Sequence, residues 1–507
     1  MFKEDATALI ERLGEEAVAW LLATDTATVR AWSLGVVDPP DTSAAVAPLI
    51  SRIVRIATQQ DHTLFAVATL LAQPSPEGLT MAADLRSLAG GSIAAPDSDD
   101  PIARPLLRLG GQLAGIYLLR PEADPIMRSF LGVAGMAAGH GHPLAAEVEQ
   151  AAIASLSLEH WLAEGKIVMR SSGSGSTFTT QLLAAQLLTD ASTRWLLNPD
   201  WPQLGPFFEA ITETVKALRR VADGRTAQVP ALIGVAGVRL AEDTQADLPW
   251  GVLRPLRRHE IERLPESPVE TVLEALVPFR VAAIDSNLAS LPTEIAESLT
   301  FSVRLSHHVA LALLLAGARP PRVAMTPAFR LITDPIQGIP QLGRSTVEPS
   351  AAVELSAADT AQLESWSRSY ADHHHRSLDV ATRRAVGAAG RLDTGDAFID
   401  AIIGWDNLFG SAAGESQLRI AASFARLLET DARERHQLAK QVKVDYDLRS
   451  RLVHGDISEL PQDQASTAPG RALDLLLRAL RMLYTERRDL LAMNSGQRSQ
   501  ALLLDKQ

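Results

Sequence analysis

Helical spacing of apolar residues runs through most of this 507-residue chain and constrains its fold more than any other feature. One hydrophobic core rarely grows beyond about 250–300 residues, so several domains are expected. The helical pattern occupies the N-terminal half and returns before the C-terminus. We therefore predict a mainly α, multi-domain protein with a helical N-terminal half, a β-containing middle domain and a C-terminal helical bundle.

The composition excludes several kinds of chemistry. The chain has no cysteine, which rules out disulfides, thiolate catalysis and cysteine-ligated zinc. No run approaches about 18 uninterrupted apolar residues and the N-terminus lacks a secretory signal, so we expect a cytoplasmic protein with no membrane contact. The formal net charge is −12. Because phosphate neutralisation supplies most non-specific affinity for nucleic acid, any such binding must use local basic patches.

Changes of residue pattern divide the chain into four segments. These are 1–60, 61–225, 226–350 and 351–507. The first, second and fourth segments are predicted to be helical, and the third is predicted to be a mixed α/β region because β-type runs in it are separated by proline and glycine.

Short strands are predicted in this third segment. They lie at 231–235, 279–284 and 301–305. A basic strand that leads into a helix is predicted at 253–261. Four or five helices are expected between residues 356 and 491, the first of them capped by Ser356 and Asp359.

The N-terminal segment has two short helical patterns joined by a tight turn. The phrase over 19–32 resembles the helix-turn-helix of Xre-like repressors and antitoxins. Ala23 stands where that family usually has a glycine, so the turn must either avoid positive φ or tolerate strain. Asp25 is expected to cap the second helix, and Val29 and Trp32 are expected to face the core.

The same resemblance implies that Thr26, Thr28 and Arg30 face the major groove of DNA. Arg30 is the one cation of this face, and Glu15 and Glu16 are close by in the sequence. Two alternatives stay open. The helices are either a plain hairpin within a bundle, or a degenerate module that contacts a protein.

Several clusters could suggest metal or phosphate sites, but each has a simpler interpretation. The His-Gly-His-Pro phrase at 140–143 is typical of a loop. Adjacent histidines at 307–308 and 373–375 point to different helix faces, and the triple is expected to form a solvated face. The Ser/Gly-rich stretch at 171–177 lacks the Gly-Lys-Ser/Thr ending of a phosphate-binding loop. We expect neither a metal nor a cofactor.

Four phrases follow one another in the C-terminal segment. They are Leu-x-x-Ala-x-Arg-Arg at 378–384, an apolar helical phrase at 396–409, Glu-Ser-x-Leu-Arg at 415–419 and Tyr-Asp-x-Arg-Ser-x-x-Val-His-Gly at 446–455. In this order they resemble the HEPN domain of ApeA-like, abortive-infection-type proteins. HEPN domains are helical bundles, and many are metal-independent ribonucleases. The region at 226–350 loosely resembles the one that often precedes this domain.

The HEPN signature is an arginine, four to six intervening residues and a histidine. Arg449 and His454 are separated by four residues, and the resemblance implies that they are the catalytic pair. RNA cleavage without a metal needs a base, an acid and a cation that stabilises the phosphorane-like charge. Histidine can supply the first two and arginine the third. The products implied by the resemblance are a 2′,3′-cyclic phosphate and a 5′-hydroxyl.

Helix geometry constrains how this pair can act. Residues five apart differ by about 500° around a helix, so Arg449 and His454 do not share a face. Gly455 indicates that the helix ends there, with His454 in its last turn. We therefore expect a homodimer in which both subunits build the site.

Other polar residues are expected to support the pair. These are Tyr446, Asp447, Arg451, Asp400 and Asp406, the last standing where the family usually has glutamate. An alternative structural role also stays open. In it, Asp447, Arg451 and His454 form a surface ion network, while Arg449 bonds to Asp400 or Asp406.

The expected function is that of an endoribonuclease effector in a prokaryotic defence (abortive-infection) or toxin-type system, acting on RNA. The main alternative is a non-enzymatic regulator that binds DNA or protein through the N-terminal helices and dimerises through the bundle. A sensor of a nucleotide or modified RNA is a third possibility.

Overall fold

The computed structural model describes residues 3–38, 46–59, 63–75, 78–120, 142–171, 175–241, 243–263, 269–285, 292–317, 329–336, 341–344, 352–410 and 416–504. The protein is mainly helical, with 62% helix and 12% strand in a few small sheets. The mainly α class with some β structure is therefore confirmed.

Helices dominate both ends of the described chain. Those of the N-terminal half are α1 (Lys3–Leu13), α2 (Glu15–Leu21), α3 (Thr26–Ser33), α4 (Val46–Gln59), α5 (Thr63–Ala72), α6 (Met81–Leu88), α7 (Ala103–Tyr117), α8 (Pro143–Ser155), α9 (Glu159–Leu162), α10 (Leu183–Leu196) and α11 (Leu204–Ala222). Those that follow are α12 (Arg258–Arg263), α13 (Thr293–Ala316), α14 (Ala357–His373), α15 (Asp379–Gly390), α16 (Thr394–Phe409), α17 (Ser416–Leu428), α18 (Ala432–Val453), α19 (Ala468–Thr485) and α20 (Ser495–Leu504).

The described strands form three small sheets. The strands are β1 (Lys166–Arg170), β2 (Gly175–Ser176), β3 (Ala227–Val235), β4 (Val238–Leu240), β5 (Ala246–Leu248), β6 (Gly251–Pro255), β7 (Thr271–Phe279), β8 (Val281–Asp285), β9 (Phe329–Ile332), β10 (Gln341–Arg344) and β11 (Val353–Leu355). The largest sheet has the order β10-β9-β3-β7-β6-β5, and the others are β2-β1-β8 and β11-β4. The pair β11-β4 is parallel.

Most of the predicted strands lie where the sequence places them. Residues 231–235 fall in β3, 279–284 cover the end of β7 and most of β8, and 253–261 run from β6 into α12. The strand predicted at 301–305 is wrong, because those residues lie within the 24-residue helix α13. Packing of the whole helix between two cores overrides the local β-type composition of five residues.

The sheets cross two of the predicted segment boundaries. β1 belongs to the segment predicted to be helical, yet it pairs antiparallel with β8 from Lys166↔Asp285 to Arg170↔Val281. β11 lies at the start of the C-terminal segment and pairs with β4. The periodicity of a single sequence cannot show strand pairings between residues more than 100 positions apart. The predicted segment boundaries therefore reflect only local changes of residue pattern.

α13 joins the two large hydrophobic cores of the protein. Its residues Leu305, Val309 and Leu313 pack into the core of the N-terminal helices and the sheets. Leu311 and Leu315 pack into the core of the C-terminal helices. By length and composition α13 is able to cross a membrane, and 62% of its most apolar window is buried inside the protein.

The C-terminal helices pack around α16. Trp405 of α16 is fully buried, and its indole Nε1 donates to the carbonyl of Ala472 on α19 at 3.1 Å. Gly404 lets the two helices approach closely, since a Cβ there would lie 2.5 Å from Leu476. Six helices, rather than four or five, lie between residues 356 and 491 of the described chain. The predicted capping box of Ser356 and Asp359 is confirmed.

Candidate active site

α18 carries Arg449 and ends immediately before His454 and Gly455, where the sequence predicts the end of the helix. Asp431 caps its first turn by accepting hydrogen bonds from the backbone N–H groups of Arg433 and Glu434. The helix ends at Val453, with His454 at the C-cap. Gly455 follows with φ of +81°, the left-handed conformation that glycine adopts without steric cost. The predicted position of His454 at the end of the helix is therefore confirmed.

Arg449 lies half-buried in a polar niche between α18 and α16. Its Cζ is 5.9 Å from the centroid of the Tyr446 ring. The Tyr446 hydroxyl donates a hydrogen bond of 3.0 Å to the carboxylate of Asp406 on α16. The Nε of Arg449 is buried and has no hydrogen-bond partner among the residues that the structure describes. Tyr446 thus contacts both Arg449 and Asp406. Arg449 itself makes no hydrogen bond or ion pair with Asp406, so the bond that the structural alternative expects between them does not form.

The electrostatics of this niche follow from its burial. Burial raises the pKa of the Asp406 carboxyl, and the hydrogen bond from Tyr446 and the positive charge of Arg449 partly offset the rise. Burial, together with the negative charge of Asp406, raises the pKa of the Tyr446 phenol to about 12. The phenol therefore stays protonated near neutral pH and acts as the donor of this hydrogen bond.

His454 and Arg451 are exposed, and the ion network that the alternative interpretation places on this surface does not form. Asp447 instead accepts a hydrogen bond of 2.7 Å from Nε2 of Gln417 on α17. Within the described parts of the chain, the imidazole of His454 makes no hydrogen bond and no ion pair links it to Asp447 or Arg451. His454 is therefore free to meet a ligand from solvent.

Asp400 belongs to a different cluster from Arg449. It is 4% exposed on α16. Its two carboxylate oxygens accept hydrogen bonds from Arg384 on α15 and from Arg391, the latter at 3.0 Å. These bonds join α15 to α16. Asp400 thus stabilises the hairpin of the bundle and does not contact Arg449.

A buried ion pair that the sequence reading missed also holds α18. Asp445 is 1% exposed, and its carboxylate accepts two hydrogen bonds from the guanidinium of Arg471 on α19, at 3.0 and 2.5 Å. Asp445 precedes Arg449 by four residues, so the two lie on neighbouring positions of one face. The sequence could have indicated this pair, because Asp445 lies between Val442 and Leu448 at helical spacing, and a buried aspartate requires a partner.

The N-terminal helices form the predicted pair. α2 and α3 are joined by a four-residue turn, and Val29 and Trp32 are buried. Asp25 caps α3 by accepting a hydrogen bond of 2.8 Å from the backbone N–H of Thr28. Ala23 has φ of +53°, so of the two alternatives for this turn the strained one is found.

Two of the residues predicted to contact DNA have partners inside the protein. The Thr28 hydroxyl donates to Asp25 at 2.8 Å. Arg30 donates from Nε and Nη2 to one carboxylate oxygen of Glu15, at 3.0 and 2.6 Å. Thr26 is half-buried at the first position of α3. Arg30 and Glu15 line a cleft of about 570 Å³ that α12 also lines.

Histidines from two clusters that are distant in the sequence, 307–308 and 373–375, lie close together around Tyr370 of α14. The rings of His308 and His374 lie 5.0 and 4.4 Å from the Tyr370 ring. His374 also bonds to the Tyr484 hydroxyl and to Asp379, both at 2.8 Å. The expectation of a solvated face for the histidine triple is therefore wrong for His374, because α19 packs over it. Burial lowers the pKa of His308 to about 4.

The other predicted ligand features add no site. The stretches at 140–143 and 171–177 lie partly outside the described residues. Within their described parts, Pro143 begins α8 and Gly175–Ser176 form β2. Among the residues that are described, no three or more histidine, aspartate or glutamate side chains are grouped so that they could hold a metal ion. Comparisons with protein-family models, with curated proteins and with solved structures found no match for this chain.

Proposed function

We propose that the protein is a metal-independent endoribonuclease, that its C-terminal helices are a HEPN-type domain, and that Arg449 and His454 carry the reaction. The observation that supports this most is the arrangement at the end of α18. A half-buried arginine lies near a tyrosine whose hydroxyl donates to a carboxylate, and an exposed histidine without a partner in the described residues follows at the C-cap. The ordered phrases that resemble HEPN domains add support from the sequence.

The chemistry needs two proton transfers and one charge clamp. A histidine takes the proton of the ribose 2′-hydroxyl, and the freed oxygen attacks the adjacent phosphorus. The bond from phosphorus to the 5′-oxygen breaks, and the same imidazole returns the proton to that oxygen. Arg449 stabilises the negative charge on the non-bridging oxygens with its N–H groups. The products are a 2′,3′-cyclic phosphate and a 5′-hydroxyl.

The local charge of α18 suits an RNA substrate despite the acidic chain. Its cations outnumber its acids. The cations are Arg433, Arg435, Lys440, Lys443, Arg449 and Arg451, and the acids are Glu434, Asp445 and Asp447. Asp445 is neutralised by Arg471, so the exposed surface of the helix is more basic still. A local patch of this kind is what phosphate binding requires.

A homodimer is the form in which this site is complete. Arg449 and His454 lie about 140° apart around the helix axis, so one helix does not aim both at one phosphate. Leu418 on α17 and Val444 and Val453 on α18 are 50%, 47% and 47% exposed. Apolar side chains exposed on neighbouring helices favour contact with a second copy.

The direct test is RNA cleavage in the presence of a chelator. We expect the purified protein to cut single-stranded RNA and leave cyclic-phosphate ends, and Arg449→Ala and His454→Ala to lose the activity. Arg426→Ala and His436→Ala are matched controls, because both residues are exposed on α17 and α18 away from the niche. Equal cleavage by wild type, Arg449→Ala and His454→Ala would remove the ribonuclease proposal.

The proposed setting is a cytoplasmic effector of prokaryotic abortive infection or of a toxin-type system, which rests on the sequence resemblance alone. If no RNA is cut, the remaining proposal is a regulator that dimerises through the bundle. The hydrogen bonds of Arg30 to Glu15 then favour a protein partner over DNA for the N-terminal helices.

A further inference from the structure

The exposed face of α18 carries a row of cations that ends at His454. At about 100° per residue, four cations and His454 lie within about 40° of Asp447 around the helix axis. These four cations form the cationic stripe, and all are exposed: Arg433, Lys440, Lys443 and Arg451. At 1.5 Å per residue, the stripe and His454 extend over about 32 Å of the helix. Arg449 lies on the opposite face and does not belong to the stripe.

The protein itself does not neutralise the cationic stripe. Among the residues that the structure describes, no carboxylate forms an ion pair with any of its four side chains. Exposed cations of other helices do pair with an acid one turn away, as Lys216 does with Glu213 at 2.7 Å and Arg368 with Glu364 at 2.9 Å. In a chain of net charge −12, an unpaired row of this kind is a local positive surface that attracts an external polyanion.

Asp447 is the one carboxylate on this face of α18, and it does not pair with the stripe. It lies four residues from both Lys443 and Arg451, a spacing that favours ion pairs on a helix. Instead, Nε2 of Gln417 on α17 donates to the Asp447 carboxylate at 2.7 Å and to the carbonyl of Lys443 at 3.1 Å. The Asp447 side chain is thus directed towards α17, which leaves the cations of the stripe available for phosphate groups.

We propose that single-stranded RNA lies along the cationic stripe, which binds its phosphate groups, and that the strand reaches His454 of the same subunit. This inference rests on the proposed ribonuclease function, which it extends by placing the part of the substrate beyond the reacting bond. RNA is favoured over an acidic polypeptide because the stripe ends at the histidine proposed to act on the ribose. A row of cations that follows the backbone is also how proteins bind single strands without regard to sequence.

The binding test uses the full chain and a 2′-O-methyl oligonucleotide of about 12 nucleotides, within the usual size of single-strand sites. This oligonucleotide has no 2′-hydroxyl that could react. The triple variant Arg433→Gln/Lys440→Gln/Lys443→Gln should raise the Kd about tenfold or more at low salt, since each exposed ion pair contributes about two- to fivefold. The slope of log Kd against log salt concentration should fall by about 2, because each phosphate contact on a single strand contributes about 0.7.

Two further variants control for the loss of charge. Arg426→Gln removes an exposed cation that has no ion pair in the described chain and lies about 180° around α17 from Gln417. It should leave the Kd within twofold of the wild type. Asp447→Asn keeps an acceptor for Gln417 but removes the negative charge from this face, so it should bind the oligonucleotide about twofold more tightly. Size-exclusion chromatography checks that all variants keep the oligomeric state of the wild type.

Two binding results would overturn the inference. The first is a triple variant with the Kd and the salt slope of the wild type. The second is a triple variant that binds RNA normally but has lost affinity for polyglutamate, which would show that the stripe serves an acidic protein partner.

Cleavage of RNAs of different length tests where the stripe acts. A dinucleotide bound at His454 does not reach Lys443, which lies about 16 Å away along the helix. The triple variant should therefore cut a dinucleotide at the wild-type rate, while its kcat/KM for a 12-nucleotide RNA should fall at least fivefold. Equal losses on both substrates would mean a general structural effect and would contradict the inference.

The binding and cleavage results distinguish the possible failures. If the wild type does not cleave RNA but the triple variant loses affinity and salt dependence, the ribonuclease proposal fails and the stripe remains an RNA-binding surface. If the wild type cleaves RNA and the triple variant keeps the wild-type Kd and salt slope, the stripe proposal fails and the ribonuclease proposal stands.

Discussion

The hydroxyl of Tyr446 donates a 3.0 Å hydrogen bond to the carboxylate of Asp406 across the contact between α18 and α16. These residues are 40 positions apart in the chain, yet their hydrogen bond ties the end of α18 that carries Arg449 to α16, the helix of the fully buried Trp405. Because this hydrogen bond stabilises the folded protein, its loss should lower the free energy of unfolding, which can be measured without any substrate.

Tyr446→Phe should lower the free energy of unfolding by about 1–2 kcal/mol, because it leaves a partly buried carboxylate without its donor. Asp406→Asn in the same background should cost less than it does alone, since the interaction is already lost. Urea unfolding followed by tryptophan fluorescence measures both. Additive losses in the double variant would show that the two side chains do not interact in solution.

Arg471→Met should destabilise the protein more than a similar change at the surface. It leaves the buried carboxylate of Asp445 unpaired, at a cost of about 2–3 kcal/mol once the partial exposure of Arg471 is considered. Arg478→Met on the same helix breaks the more exposed pair with Glu429 and should cost less than about 1 kcal/mol. Matching losses in the two variants would contradict the special role of the Asp445 pair.

The environment of His308 makes stability sensitive to acid. Burial lowers its pKa to about 4 in the folded protein, whereas an unfolded histidine has a pKa of about 6.5. Between these values the unfolded state binds the proton, so stability is complete above about pH 6.5 and falls as the pH approaches 4. His374, Asp379 and Arg304 lie close enough to His308 to influence this titration.

Replacing His308 by glutamine should therefore flatten the pH dependence. We expect the wild type to lose on the order of 1 kcal/mol of stability more than His308→Gln between pH 7 and pH 5. His436→Gln, which replaces an exposed histidine, is the control, and its stability should depend on pH as that of the wild type does. A variant of His308 with the same pH dependence as the wild type would show that His308 is not held neutral by burial.

Ala23→Gly tests the strain in the N-terminal turn. Ala23 has φ of +53°, which costs an L-residue about 1–2 kcal/mol and costs glycine almost nothing. After the greater flexibility of glycine in the unfolded chain is subtracted, the variant should gain about 0.5–1 kcal/mol. Ala31→Gly within α3 should instead lose about 1 kcal/mol. A loss in both variants would indicate that the turn is not strained.

Local features of the fold could be predicted from the sequence because their causes lie within a few residues. The caps at Asp25 and Ser356 and the helix end at Gly455 all depend on partners three or four positions away. The strand wrongly predicted at 301–305 shows the limit of this reasoning. Five residues cannot show that the helix around them is packed between two cores.

The polar pairs of the candidate site could not be predicted because they join distant residues. Asp445 and Arg471 are 26 positions apart, and His374 and Tyr484 are 110 apart. Their partners depend on how α19 packs against α14 and α18. The sequence named Arg449, Tyr446 and Asp406 through a resemblance, but only the packing of α16 shows that Asp406 is the carboxylate to which Tyr446 donates.

Mixing two inactive variants tests the central proposal most directly. Arg449→Ala and His454→Ala are each purified, and their cleavage of RNA is measured alone and after subunits have exchanged in a mixture. If each site takes its arginine from one subunit and its histidine from the other, the exchanged mixture should recover up to about a quarter of wild-type activity, since half the dimers carry one intact site. Single variants as active as the wild type, or a mixture as inactive as its components, would contradict a shared site built by Arg449 and His454.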